Sequence, residues 1–136
     1  EAYQASTTSK QNVVEPTVSD AITLAARQVA ETVNANCIVT YTTSGSTTLR
    51  AARERPTVPI LCVTSSLSTA RRMAIAWGIH SVHIDQEERF STVVKRAVDI
   101  AETQGFASSG DHIVITAGVP MGKSGSTNVL RIERIP

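Results

Sequence analysis

The chain carries almost no excess of charge, with thirteen Lys and Arg set against twelve Asp and Glu in 136 residues. No global field therefore draws it to nucleic acid or to an anionic membrane, and no local basic patch stands in for one. Long apolar runs are also missing. The longest are strand-sized, well short of the roughly twenty residues that a membrane helix needs, and no basic segment followed by an apolar one opens the chain. A soluble, cytoplasmic protein is expected, with neither nucleic acid nor membrane among its partners. Cysteine is scarce: Cys37 and Cys62 each sit inside an apolar run and read as buried thiols acting as small hydrophobes. His80 and His83 form an H-x-x-H in a stretch that reads as a loop entering a strand. Without a third ligand nearby they make a poor metal site.

What is present fits one module. A chain of this length sits at the commonest domain size and buries roughly two-thirds of its unfolded surface. Residues 1–15, rich in Ser, Thr, Gln and Asn, read as a flexible leader or linker remnant, and the fold is expected over residues 16–136. Thr17 followed three residues later by Asp20 marks a helix start, with Val18, Ile22, Ala25, Ala26, Val29 and Val33 on one face and an end near Asn34 to Asn36. Cys37 to Tyr41 is a short β-branched strand. A helix follows to about Glu54, because Pro56 forbids continuation.

Pro59 to Thr64 reads as a second strand. Ser66 or Ser68 then caps a helix bearing Ala70, Met73, Ala74 and Trp77, closed by Gly78, and Ser81 to Ile84 is a third strand. The longest helix is placed from Glu87 to Gln104, with Phe90, Val93, Val94, Ala97 and Ala101 on its apolar face. Its charged face, with Arg89, Lys95, Arg96, Asp99 and Glu102, reads as solvated. His112 to Thr116 and Asn128 to Ile135 complete the strands. The alternation predicts an α/β fold of three layers, α/β/α, with a mostly parallel five-stranded sheet and helices on both faces.

Two loops carry the chemistry. The late segment Ala117 to Ser124, AGVPMGKS, has Gly122, Lys123 and Ser124 in the order of a Walker A loop. That motif must open a helix, whereas only twelve residues follow Ser124 and Val129 to Ile135 alternates apolar and charged like a last strand. Nucleotide hydrolysis is set aside unless Lys123→Ala abolishes a measurable activity. The earlier loop places the hydroxyls of Thr42, Thr43, Ser44, Ser46 and Thr47 around Gly45, just before a helix. A single hydroxyl there would be a helix cap. Five around a glycine, with helix N–H groups pointing at the same spot, suit a phosphate held by dipoles more than by full charge.

CIVTYTTSGSTTLRAARERP from Cys37 to Pro56, ARRMAIAWGIHSV in the middle and GVPMGKSGSTN near the end occur in the order and spacing of one family. Over nearly the whole chain the sequence resembles the C-terminal domain of pyruvate kinase. The resemblance implies that one strand of the sheet is antiparallel, and that the first and fourth strands are neighbours, so that Thr42 to Thr47 faces Ala117 to Gly125 across a pocket. It also implies that this pocket receives a phosphorylated allosteric effector, with Thr42, Thr43, Ser44, Gly45, Ser46 and Thr47 as binding residues, together with Lys123 and Ser124.

Relatives that respond to fructose bisphosphate commonly have a basic residue where this chain has Ser46. They hold the second phosphate with a Trp and an Arg where this chain has Gln86 and Val93. A sugar monophosphate or a nucleoside monophosphate is therefore the expected effector. The parent reaction, phosphoenolpyruvate plus ADP to pyruvate plus ATP in glycolysis, uses Mg2+ and K+ on a catalytic barrel. This chain shows no carboxylate cluster for the metal and no Lys and Arg set for phosphoryl transfer. The chain is expected to have no catalytic residues and no cofactor of its own, to be inactive alone, and to partner the barrel and further copies of itself. An assembly module without any effector is the alternative.

Overall fold

The computed structural model describes residues 17–76, 78–86, 89–118 and 127–136. Among the described residues nine elements follow one another: α1 (Val18–Thr32), β1 (Cys37–Tyr41), α2 (Ser46–Arg53), β2 (Ile60–Thr64), α3 (Leu67–Ala74), β3 (Ile79–His83), α4 (Phe90–Thr103), β4 (His112–Ala117) and β5 (Val129–Arg134). The strands lie side by side in the order β3-β2-β1-β4-β5. Three neighbouring pairs are parallel, and only β5 runs antiparallel, against β4. This is the expected three-layer architecture. No helix among the described residues is long and apolar enough to cross a membrane.

Handedness decides which helix covers which face. The chain steps outward from β1 to β2 to β3 through α2 and α3, and right-handed crossovers put both helices on one side. Returning from β3 to β4 reverses the step, so α4 lies on the other side. The packing agrees. Cys37, Val39 and Tyr41 of β1 join Ile113 and Ile115 of β4 and Val93, Val94, Ala97 and Ala101 of α4 in the larger core. Ile38 and Val114 point the opposite way, against Ala26 and Ala30 of α1. Alanines at these contacts let α1 approach the sheet closely. β1 and β2 are buried at every position, which is why they read as unbroken apolar runs.

Burial also explains the thiols. Cys37 and Cys62 are both fully buried and unbridged, and desolvation pushes the Cys37 thiol up to about 12. As neutral groups they pack like small apolar side chains.

Several boundaries differ from the sequence expectation. β2 begins at Ile60, one residue after Pro59, and β3 is Ile79–His83 instead of Ser81 to Ile84. α4 starts at Phe90 with Arg89 as its N-cap. Residues 1–16, Trp77 and Glu87, on which parts of the sequence expectation fall, lie outside the described residues. The largest correction concerns α1. Its most buried positions are Ser19, Thr23, Ala26 and Ala30, while Val18 is 65% exposed. Two small hydroxyl residues can sit inside because each bonds locally or nearby: Thr23 Oγ1 donates to the Ser19 carbonyl at 2.7 Å, and Ser19 Oγ accepts from the Thr127 N–H at 3.0 Å.

The start of α1 matches the expectation, a reciprocal capping box between Thr17 and Asp20. The Thr17 backbone N–H, then its hydroxyl contact, and then Arg50 and Arg53 favour the ionised Asp20 carboxylate, holding its pKa below the ordinary 3.8. A depressed carboxylate stabilises the fold above its unfolded-state pKa and stops doing so as pH falls through the folded value. Asp20→Asn is therefore expected to flatten the acid limb of helix stability below about pH 4. Circular dichroism against pH checks this, and an acid limb identical to that of the wild type would refute it.

Candidate functional site

The strand order reverses between β1 and β4, and in open sheets of this kind ligands bind beyond the carboxyl ends of the strands at that point. The Thr42 to Thr47 loop leaves β1 there. Thr40 lies beside Thr116 in the parallel register, so the loop rises next to Gly118, the second residue of the predicted Ala117 to Gly125 loop, whose first residue ends β4. Most of that second loop, including Lys123 and Ser124, lies outside the described residues. Thr127, beyond that loop, is tied to the first one. The buried hydroxyls of Thr47 and Thr127 are 2.7 Å apart, and the Thr127 N–H reaches Ser19 of α1.

Gly45 is the residue that makes the turn. It caps α2 at φ +93°, a left-handed conformation that side chains disfavour. A Cβ at this position would lie 3.1 Å from Met73 Cε and 3.4 Å from Thr69 Cγ2 on α3. Glycine is thus required by both backbone and packing. Having no side chain, it leaves the helix without an ordinary cap, and neighbours supply the acceptors. Thr42 Oγ1 accepts from the Gly45 N–H at 2.9 Å, and Ser44 Oγ accepts from the Ser46 N–H at 3.3 Å while lying 3.1 Å from Ser46 Oγ.

The five hydroxyls therefore divide. Thr42 and Thr47 are buried and hold the loop and its neighbour in shape. Thr43 is exposed, and Ser44 and Ser46 are half-buried, leaving these three within reach of a ligand. Among the described residues the N–H groups of Ser44, Thr47 and Thr48 have no acceptor. No acidic residue occupies the first turn of α2, so its positive dipole end is uncompensated. Such a set of N–H and O–H donors has the chemistry that suits an anion.

Sequence reasoning missed the other wall of the site. Thr69 Oγ1 donates to the Thr43 carbonyl at 2.7 Å, and Arg72 Nη2 donates to the Ser44 carbonyl at 2.9 Å and to Thr69 Oγ1 at 3.1 Å. The two loop contacts join residues 26 and 28 positions apart, so no local motif announces them.

The remaining candidates lie elsewhere. His80 and His83 are both on β3, and three positions apart in a strand means opposite faces. His80 Nε2 meets Gln104 Oε1 at 3.1 Å and its ring lies near Phe106, while His83 Nε2 meets the Ser65 carbonyl oxygen. They do not share a ligand. Among the described residues no group of three or more His, Cys, Asp or Glu could hold a metal ion. A cavity of about 560 Å³ lies at the other end of the sheet, lined by Ala52, Arg55, Pro56, Val58 and Ile60 among others. It is largely apolar and lacks the converging donors of the β1 to α2 loop.

Comparison with known proteins gives one consistent result. The family model described as pyruvate kinase, alpha/beta domain, matches residues 20–133. The chain is 42% identical to the pyruvate kinase of Methylorubrum extorquens over 118 residues, covering 87% of this chain and 25% of that protein. It is 37% identical to the pyruvate kinase of Geobacillus stearothermophilus over 121 residues, covering 89% and 21%. The crystal structure of a pyruvate kinase from Cryptosporidium parvum superimposes with a TM-score of 0.81 at 28% identity, covering 93% of this chain and 25% of that one. The chain thus spans about a quarter of the length of the pyruvate kinases that it matches. With a family match across most of its length and a fold to agree, the chain belongs to the pyruvate kinase alpha/beta domain family.

Proposed function

We propose that this chain is the regulatory and assembly domain of a pyruvate kinase, a cytoplasmic enzyme that moves a phosphoryl group from phosphoenolpyruvate to ADP. In this reading the barrel of the parent holds Mg2+ and K+ and performs the chemistry. This domain binds a singly phosphorylated effector, a sugar or nucleoside monophosphate, on the Thr42 to Thr47 loop. The observation that carries the reading is the set of open donors at the β1 to α2 turn: the N–H groups of Ser44, Thr47 and Thr48 with the hydroxyls of Thr43, Ser44 and Ser46. The loop itself has no cation, so one phosphate is held by dipoles, and nothing at Gln86 or Val93 offers a charge to a second.

The bound anion would bias two arrangements of subunits through elements that touch the loop. Thr47 reaches α1 through Thr127 and Ser19, and α2 reaches it again through Arg50 and Asp20 at 3.4 Å. Assembly has its own support. β5 is an edge strand on which Ile132 is 43% exposed between Arg131 and Glu133. Antiparallel pairing of two copies about Ile132 sets Arg131 of each opposite Glu133 of the other, an isologous and charge-complementary contact.

Calorimetric titration with ribose 5-phosphate, AMP, glucose 6-phosphate and fructose 1,6-bisphosphate tests the effector site. One monophosphate is expected to bind, and Ser44→Ala with Ser46→Ala to weaken it at least tenfold, two lost hydrogen bonds to a charged group being worth about 3 kcal/mol or more. Silence from all four ligands, with association between copies retained, would leave assembly as the domain's only role.

A further inference from the structure

We infer that α3 is the positioning element of the phosphate loop, with Thr69 and Arg72 as positioning residues that aim the Ser44 N–H toward β4 for an anion. The inference rests on the reading of the Thr42 to Thr47 loop as an anion site, and adds how that site is held in shape.

Peptide geometry sets the direction. In a planar trans peptide the carbonyl and the N–H of the same unit point in opposite directions. The Thr43 carbonyl is held by Thr69 Oγ1 at 2.7 Å and the Ser44 carbonyl by Arg72 Nη2 at 2.9 Å, both from α3. α3 follows β2, which lies on one side of β1, while β4 lies on the other. With two successive carbonyls drawn toward α3, the N–H groups of the same two units turn away from it. That of Gly45 is taken by Thr42 Oγ1. The Ser44 N–H is left, and it turns toward the β4 side, where the strand order reverses and a ligand would sit.

The clamp is built on one helical face. Thr69, Arg72 and Met73 stand at i, i+3 and i+4, neighbours on the surface of a helix. Thr69 is only 2% exposed and Met73 4%, so both are held by packing. Met73 lies directly against Gly45. Arg72 also brings a full positive charge to within hydrogen-bond distance of a loop that has none of its own. Because Arg72 is exposed, salt screens that charge, and the geometric role is the larger one.

The test uses the 15N-labelled chain titrated with inorganic phosphate, alongside Thr69→Val, Arg72→Gln and Arg72→Lys. Without phosphate, the Ser44 amide resonance is expected to shift in Thr69→Val and Arg72→Gln. With phosphate, both are expected to bind about tenfold more weakly, as loss of one hydrogen bond involving a charged or buried group implies. Arg72→Lys should keep part of the affinity. Arg72 is exposed, so Arg72→Gln remains informative even where Thr69→Val fails to fold. An unmoved Ser44 amide in Arg72→Gln overturns the clamp, whether or not phosphate binds. Wild-type chain that ignores phosphate, while its variants still move the Ser44 amide, instead overturns the effector site and leaves α3 as the element that shapes the loop.

Discussion

Gly45→Val is expected to lose about 2–5 kcal/mol of stability and to abolish phosphate-ester binding. Two separate effects add. Holding an L-residue at φ +93° costs roughly 1–2 kcal/mol. A Cβ 3.1 Å from Met73 Cε, with two further methyl groups beyond it, forces repacking worth roughly another 1–3 kcal/mol. Gly78 supplies the control. It has φ +81° but nothing within 4 Å of the point where a Cβ would stand, so Gly78→Ala carries the strain without the clash and should lose only about 1 kcal/mol. Urea unfolding of the two variants measures the difference. Equal losses would mean that the contact with Met73 contributes nothing and that the turn needs glycine for its backbone alone.

Ile115→Ala is the second large effect, a loss of about 2–5 kcal/mol with an unchanged dependence on urea. Ile115 is 0% exposed, pairs with Val39 across the β1 and β4 neighbours, and faces α4 in the larger core. Deleting its outer atoms removes apolar burial and leaves a cavity beneath the crevice floor. Ile132→Ala is the informative contrast. On the outer strand of an isolated chain it should change stability by less than about 0.5 kcal/mol. A larger loss that grows with protein concentration would show that Ile132 is buried between copies, as pairing through β5 requires. An Ile115→Ala chain as stable as the wild type would contradict the assignment of this strand to the core.

These expectations depend on features that are legible in the sequence to different degrees. The capping box of α1 can be read directly, since Thr17 and Asp20 are three positions apart and satisfy each other within a single turn. Strand and helix alternation is equally plain, because β1 and β2 are short runs rich in β-branched and apolar residues and Gly45 and Gly105 punctuate the helices. The buried face of α1 differs from its periodicity for a physical reason. Apolar residues outnumber polar ones around much of that helix, so periodicity alone allows a rotation, and the ordering contact is a hydrogen bond between Ser19 and Thr127, 108 residues apart.

The same distinction runs through the candidate site. Composition and the following helix mark residues 42–47 as a donor-rich turn, because five Ser and Thr around one glycine are more than a helix cap needs. How the hydroxyls divide is invisible there. Thr42 is spent within its own turn on Gly45, while Thr47 is spent on a residue 80 positions on, and nothing in the segment TTSGST tells the two apart from Ser44 and Ser46. Thr69 and Arg72 look, in the sequence, like ordinary helix positions.

The sequence by itself determined the local grammar of this protein: the order of helices and strands, the cap that starts α1, which strands are buried on both faces, and which loop is rich in donors. Those properties depend on backbone preference and on side chains within one turn of each other. Only the tertiary structure decided which donors stay open and which residues aim them. That outcome rests on α3 and β4 being carried to opposite sides of β1 by right-handed crossovers, and such placement is set by the packing of the whole sheet.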